Sequence, residues 1–164
     1  MKKVCIVGHS VTYIQAPFFD NEWEIWGLNS RFKDIPRFDR WFDLHALDTL
    51  FHEKTEYIQF LQSNASKVWL KENYFGIKGN VFPKEKLMQR FGDFFTCTMA
   101  WLIAFAIAEG VTDLALFGID CSHPTEYIHQ RASVLYFLGI AAGRGINIHL
   151  PKECELFNKE RLYW

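Results

Sequence analysis

Directly after the apolar run 114–117, the chain places Asp120, Cys121, His123, Glu126, Tyr127, His129, Gln130 and Arg131 almost side by side. These are side chains of proton transfer and anion binding. A histidine titrates near pH 6.5 and serves as general acid or base, and an arginine grips a phosphate or carboxylate through paired N–H donors. On a helix beginning at Thr125 and closing near Gly143, Glu126, His129 and Gln130 stand at i, i+3 and i+4 on one face, with Tyr127 and Arg131 on the neighbouring one. Ile128, Ala132, Leu135 and Ala142 then form the apolar side. The functional reading makes Arg131 an anion contact and His129 the general base or acid. A solvated helix face carrying Glu126–His129 and Tyr127–Arg131 pairs fits the same spacing.

Other positions offer weaker chemistry. Gly8 admits a phosphate close to the backbone and Ser10 could donate to it, but GxGxxG and the Walker lysine loop are both absent, and a plain strand-to-helix turn reads as well. Thr96 and Thr98 open an apolar segment whose helix dipole puts about half a positive charge at that end, suited to capping or to an anion. Cys121-x-His123 could supply two zinc ligands alongside Cys97, His9 or His45. Paired metal spacings and HExxH are missing, so no metal centre is expected. A nucleophilic Cys97 or Cys121 has no supporting pattern, since scattered cysteines serve mostly as small apolar fillers.

The elements that must position these groups alternate along the chain. Short apolar runs at 3–8 (KVCIVG), 23–28 (WEIWGL), 40–44 (RWFDL), 67–70 (KVWL), 113–117 (DLALF) and 146–150 (INIHL) read as strands. Helical patterns cover 48–62, the buried segment after Phe94, bounded by Thr96, Thr98 and Gly110, and 125–142. Segment 73–90, with Gly76, Gly79 and Pro83, reads as a loop holding a short strand and a helical turn. Uninterrupted apolar strands alternating with helices predict an α/β Rossmann-like three-layer sandwich with a mostly parallel sheet, one domain spanning 1–164. In such a sheet, ligands bind beyond the carboxyl ends of the strands. Gly8, His9 and Ser10, Asn29 and Ser30, Asp43 and His45, and Gly118 and Asp120 all follow strands, so they are expected at one rim.

Composition narrows the function classes. At 164 residues, with 49% hydrophobic and 17% aromatic residues, the chain can bury a full core without disulfides. A net charge of −1 excludes a broad electrostatic grip on nucleic acid. Four cysteines without a CxxC pair and the absence of a secretory signal pattern lead us to expect a reduced, cytoplasmic protein. The apolar run 99–108 is ten residues long, too short to span a bilayer, so no membrane partner is expected. Trp23, Trp26, Trp41 and Trp164 could line a pocket or a homo-oligomer interface, although core packing is the commoner use.

The segments VCIVGHS, WEIWGLN and FTCTMAWLIAFAIAEGVTDLALFGID resemble a Rossmann-like group. That group includes the 6-hydroxymethylpterin diphosphokinase-like proteins and the bacterial CMP-sialic-acid-using sialyltransferases. EYIHQRASVLYFLGIAAGRGINIHLP is similar to small bacteriophage proteins. The resemblance implies Gly8, Ser10, Asn29, Thr96 and Thr98 as nucleotide contacts. It also implies Asp120 at the cleft and a histidine base, His129 first and His123 second. The first turn departs from the group, reading GHS in place of a GNGPS-like form. The reading that follows is a glycosyltransferase-like or diphosphokinase-like transferase with a nucleotide or nucleotide-sugar donor. Its catalytic pair is His129 and Asp120, Arg131 binds the anion, and no cofactor is required, Mg2+ being left open. The alternative is a non-catalytic phage-type protein that sequesters a nucleotide-derived signal.

Overall fold

The computed structural model describes residues 1–46, 55–74, 76–121 and 127–156, with the backbone alone at 127 and 128. Within these, seven strands form one sheet in the order β5-β4-β3-β2-β1-β6-β7, every neighbouring pair parallel. The strands are β1 (Lys3–Val7), β2 (Trp23–Leu28), β3 (Arg40–Asp43), β4 (Val68–Leu70), β5 (Asn80–Val81), β6 (Asp113–Phe117) and β7 (Asn147–His149). The helices are α1 (Thr55–Ser63), α2 (Lys84–Phe91), α3 (Thr98–Ala108) and α4 (Tyr127–Gly143), and a 3-10 turn occupies Val11–Gln15. This is the expected doubly covered parallel sheet.

Strand alternation divides the core. Val4 and Ile6 of β1 point to one face with Leu114 and Leu116 of β6, under α3 and α4. Cys5 and Val7 point to the other, with Tyr57 and Leu61 of α1. Because both faces are covered, the central strands are apolar at consecutive positions, which is why they read as continuous runs. The segment α3 is apolar all round for the same reason: Ala100 and Leu102 to Ile107 are buried on every side. Among the described residues no helix is long and apolar enough to cross a membrane.

Some local expectations are corrected. Segment 73–90 runs into a full eight-residue helix, α2, ending at Phe91 after the short β5. On α4 the buried positions are Ser133, Val134, Phe137, Leu138 and Ala141, whereas Ala132 and Ala142 are exposed. So many sides of this helix are apolar that periodicity alone does not choose among them, and the bulk of Phe137 and Leu138 does. Trp26 and Trp41 are core residues, each fully buried. The expected helix starts at Asp48 and Thr125, together with His123, Glu126 and Trp164, lie outside the described residues.

Candidate functional site

Strand order reverses between β1 and β6: the chain fills one half of the sheet from β1 to β5, then crosses to β6 and β7. At that reversal the connections leave in opposite directions and open a crevice. Gly8 and Gly118 close its floor. The Gly8 N–H donates to Phe117 O at 2.8 Å and the Ser10 N–H to Gly118 O at 2.9 Å. A Cβ at Gly8 would stand 2.4 Å from Gly118 O, and one at Gly118 would stand 2.7 Å from Gly8 O. Only glycine permits both strands to turn there at once. Gly118 also has φ +70°, the left-handed region that favours glycine.

Above this floor lies a cavity of about 510 Å3. Gly8, Ser10, Asn29, Thr96, Thr98 and Asp120 all line it, arriving from the ends of β1, β2 and β6 and from the start of α3. His9, His45, Cys97, Cys121 and Gln130 line it too. Among the described lining residues there is no lysine or arginine.

Hydroxyls organise the β1–β6 wall. Ser10 Oγ donates to Asp120 Oδ2, and Thr12 Oγ1 donates to Asp120 Oδ1 at 3.4 Å. Thr12, itself 4% exposed, accepts the Gly118 N–H at 2.9 Å. Sequence reading passed over Thr12; a hydroxyl two residues past Ser10 in a turn was the signal. The wall also holds uncommon backbone. Asn29 at φ 56° and Cys121 at φ 49° are non-glycine residues in the left-handed region, a conformation that clusters at functional sites. Asn29 Oδ1 is shut from solvent with no hydrogen-bond partner among the described residues, an uncompensated acceptor at the cavity wall.

The start of α3 differs from its expected form. Cys97 is the N-cap residue and makes no side-chain capping bond. Thr96 Oγ1 donates instead to His129 O at 3.0 Å, tying this turn to α4. The Met99 and Ala100 N–H groups of the first turn face the Cys97 sulfur, a weak acceptor, in place of a hydroxyl cap.

His129 is exposed and Arg131 half-buried, and neither lines the cavity; Gln130, between them, does. Arg131 stays close enough for its charge to act on the Cys121 and Cys154 thiols. Burial pushes the Cys121 thiol up to about 12, so it is protonated at neutral pH. His9 is more than a third exposed. Partial burial nevertheless lowers its pKa, helped by the charges of Arg31 and His45 and opposed by the hydrogen bond between its Nε2 and Leu28 O at 3.3 Å.

His45 is placed differently. Asp43, 1% exposed at the end of β3, accepts from His45 Nδ1 at 2.8 Å, from the His45 N–H at 3.1 Å and from Tyr57 Oη at 2.6 Å. Tyr74 Oη holds the His45 carbonyl at 3.0 Å. Both Asp43 and His45 were flagged as strand-end residues, but their pairing depends on the bend after β3, which spacing does not specify.

No family model matches the sequence, and no curated protein matches it. Solved structures do. The sialyltransferase CstII from Campylobacter jejuni, in complex with the substrate analogue CMP-3FNeuAc, superposes with a TM-score of 0.62 at 15% identity, over 92% of this chain and 80% of that one. The chain has a sialyltransferase-like fold. The same enzyme in complex with cytidine-5'-monophosphate gives 0.56 at 16% identity, over 92% of this chain and 79% of that one. A mutant described as an alpha-2,3/8-sialyltransferase gives 0.53 at 16% identity, over 91% and 81%.

Proposed function

We propose that this protein is a transferase that binds a nucleotide or nucleotide-sugar donor in the cavity at the β1–β6 reversal. The observation that carries the reading is the meeting of Gly8, Ser10, Asn29, Thr96, Thr98 and Asp120, far apart in sequence, around about 510 Å3 of space. That volume suits one small ligand. Lining chemistry supports a donor with a single phosphate. Among the described lining residues no lysine or arginine balances a polyphosphate, whereas one phosphate can be held by the first-turn N–H groups of α3 and the hydroxyl of Thr98. Asp120 is an acceptor at the cavity wall, matching ribose hydroxyls or an exocyclic amine of a base. Arg131 adds positive potential behind Cys121, at the rim, and His129 stands beside it on the same helix. The likeness in fold to an enzyme solved with CMP and a CMP-sugar analogue points the same way.

The test is a panel of nucleoside monophosphates, nucleoside diphosphates and nucleotide sugars, read by thermal shift and by product analysis. A ligand at 100 times its Kd should stabilise the fold by about 2.7 kcal/mol, raising Tm by roughly 5–10 °C for a chain of this size. Monophosphates and their sugars are expected to do so and diphosphates to do less. Binding followed by recovery of chemically unchanged donor would replace the transferase with a sequestering protein, and no shift with any member would remove the site.

A further inference from the structure

We propose that Arg131 holds an oxyanion of the acceptor, so that the molecule receiving the transferred group is itself acidic, carrying a carboxylate or a phosphate; the inference rests on the donor-binding reading above. Arg131 is half-buried in the second turn of α4. Among the described residues it makes no hydrogen bond, ion pair or ring contact. The other described arginines are all engaged: Arg31 with Asp34, Arg37 with Asp39, Arg40 with Glu24 and Glu109, and Arg90 and Arg144 over the ring of Phe91.

A guanidinium carries five N–H donors in a planar fork, and drawing it partly out of water costs free energy that a partner must offset. Asp120, a carboxylate of the same wall, does not supply that partner. It acts on the same two thiols as Arg131, those of Cys121 and Cys154, which puts both charges in one neighbourhood. Its oxygens nevertheless accept from Ser10 and Thr12, and among the described residues no ion pair joins it to Arg131. The fork is thus left matched to a group that the described chain does not contain, and carboxylates and phosphates are the groups it grips through paired bonds.

Position decides which substrate brings the anion. Arg131 does not line the donor cavity, whereas Gln130 before it does, and the Arg131 charge reaches the lining residue Cys121. It therefore stands at the rim, outside the space assigned to the nucleotide. The donor's phosphate is already provided for by the first turn of α3 and the Thr98 hydroxyl. A second anion at the rim belongs to the molecule that arrives there, and Arg131 selects it by charge, since a neutral acceptor leaves the guanidinium uncompensated. Arg131 is a specificity-determining residue, orienting the acceptor and taking no part in bond making.

The experiment uses the full chain with saturating cytidine 5'-monophosphate, so that the donor site is filled, and titrates it with three sugars that differ at one carbon: glucose, glucuronic acid and glucose 6-phosphate. Wild type should bind at least one of the two acids about 10-fold or more tightly than glucose, and the stronger of them identifies the anion as carboxylate or phosphate. In Arg131→Gln the preference should fall to within about twofold, and Arg131→Lys, which keeps the charge without the paired fork, should recover part of it. The Arg131 Nε–H signal of wild type, assigned through its own backbone by nitrogen-15 NMR, should shift with the preferred acid and stay in place with glucose, a reading that needs no variant to fold. Equal binding of all three sugars, binding of none, or an acid preference that survives in Arg131→Gln overturns this inference alone. Failure of cytidine 5'-monophosphate to bind wild type overturns the donor-binding reading and this inference with it.

Discussion

Gly8 carries more of the site than any side chain, because its missing Cβ lets the turns after β1 and β6 touch. Gly8→Ala would drive a methyl group to within 2.4 Å of Gly118 O, a backbone atom that cannot swing aside. We expect a loss of about 1–3 kcal/mol in urea denaturation, together with loss of monophosphate binding. A variant that kept both would show that the floor yields. The cavity thiols make a second residue-scale test. Burial raises the pKa of Cys97 and Cys154 as it does that of Cys121, and burial raises the deeply enclosed Cys5 as well. Iodoacetamide at pH 7.5 is therefore expected to label the native chain slowly and the urea-unfolded chain at all four sites, as read by intact mass. Rapid native labelling at Cys97 or Cys121 would reinstate a nucleophilic cysteine. That Gly8, Asn29 and Asp120 would meet at one rim was legible in the sequence because the rule for parallel sheets acts on strand ends and needs no side-chain geometry. The Asp43–His45 pair was not, because a contact two residues apart depends on a bend that neither residue dictates.

At the scale of elements, what sequence misjudged was rotation rather than existence. The helix α4 was expected and is present, but its face toward the cavity carries Gln130 in register with Val134, Phe137, Leu138 and Ala141, which turns His129 and Arg131 aside. A helical wheel relates residues to each other; packing against the sheet sets the wheel's angle. The far end of the sheet is tied by charge. Arg40 of β3 bridges Glu24 of β2 at 2.6 Å and Glu109, just past α3, at 2.7 Å, while Lys2 ahead of β1 also holds Glu109. Burial alone would raise the Glu109 carboxyl, yet the hydrogen bonds from Arg40 and Lys2 outweigh it and hold its pKa below the ordinary glutamate range. A carboxyl depressed on folding adds stability above its unfolded pKa, near 4.3–4.5, and loses it as pH falls through the folded value. Glu109→Gln should thus cost most at neutral pH. In urea melts at pH 7 and pH 3 the gap between wild type and variant should narrow on acidification; a gap independent of pH would mean that Glu109 acts through packing alone.

For the molecule as a whole, the order of the strands was less accessible than their number. Alternating runs indicated a parallel sheet, but nothing local states that β6 pairs with β1, and that pairing across more than a hundred residues makes the crevice. Ligand binding should accordingly stiffen contacts that are distant in the chain. With saturating cytidine 5'-monophosphate, hydrogen exchange is expected to slow at the Gly8, Ser10 and Gly118 amides together, since these three cross-link the turns, whereas β5 at the opposite edge should exchange unchanged. Slowing confined to one turn would mean that the ligand sits elsewhere.

The joined floor of Gly8 and Gly118 has a consequence for biosynthesis. A nascent chain still emerging from the ribosome can pair β1 with β2 early, but the turn after β1 has no Gly118 to close against until β6 has cleared the exit tunnel. Ligand in the cell can rescue the protein only once β6 is in place, so a donor-analogue added during translation should protect chains that extend past β6 from proteolysis and leave shorter ones exposed.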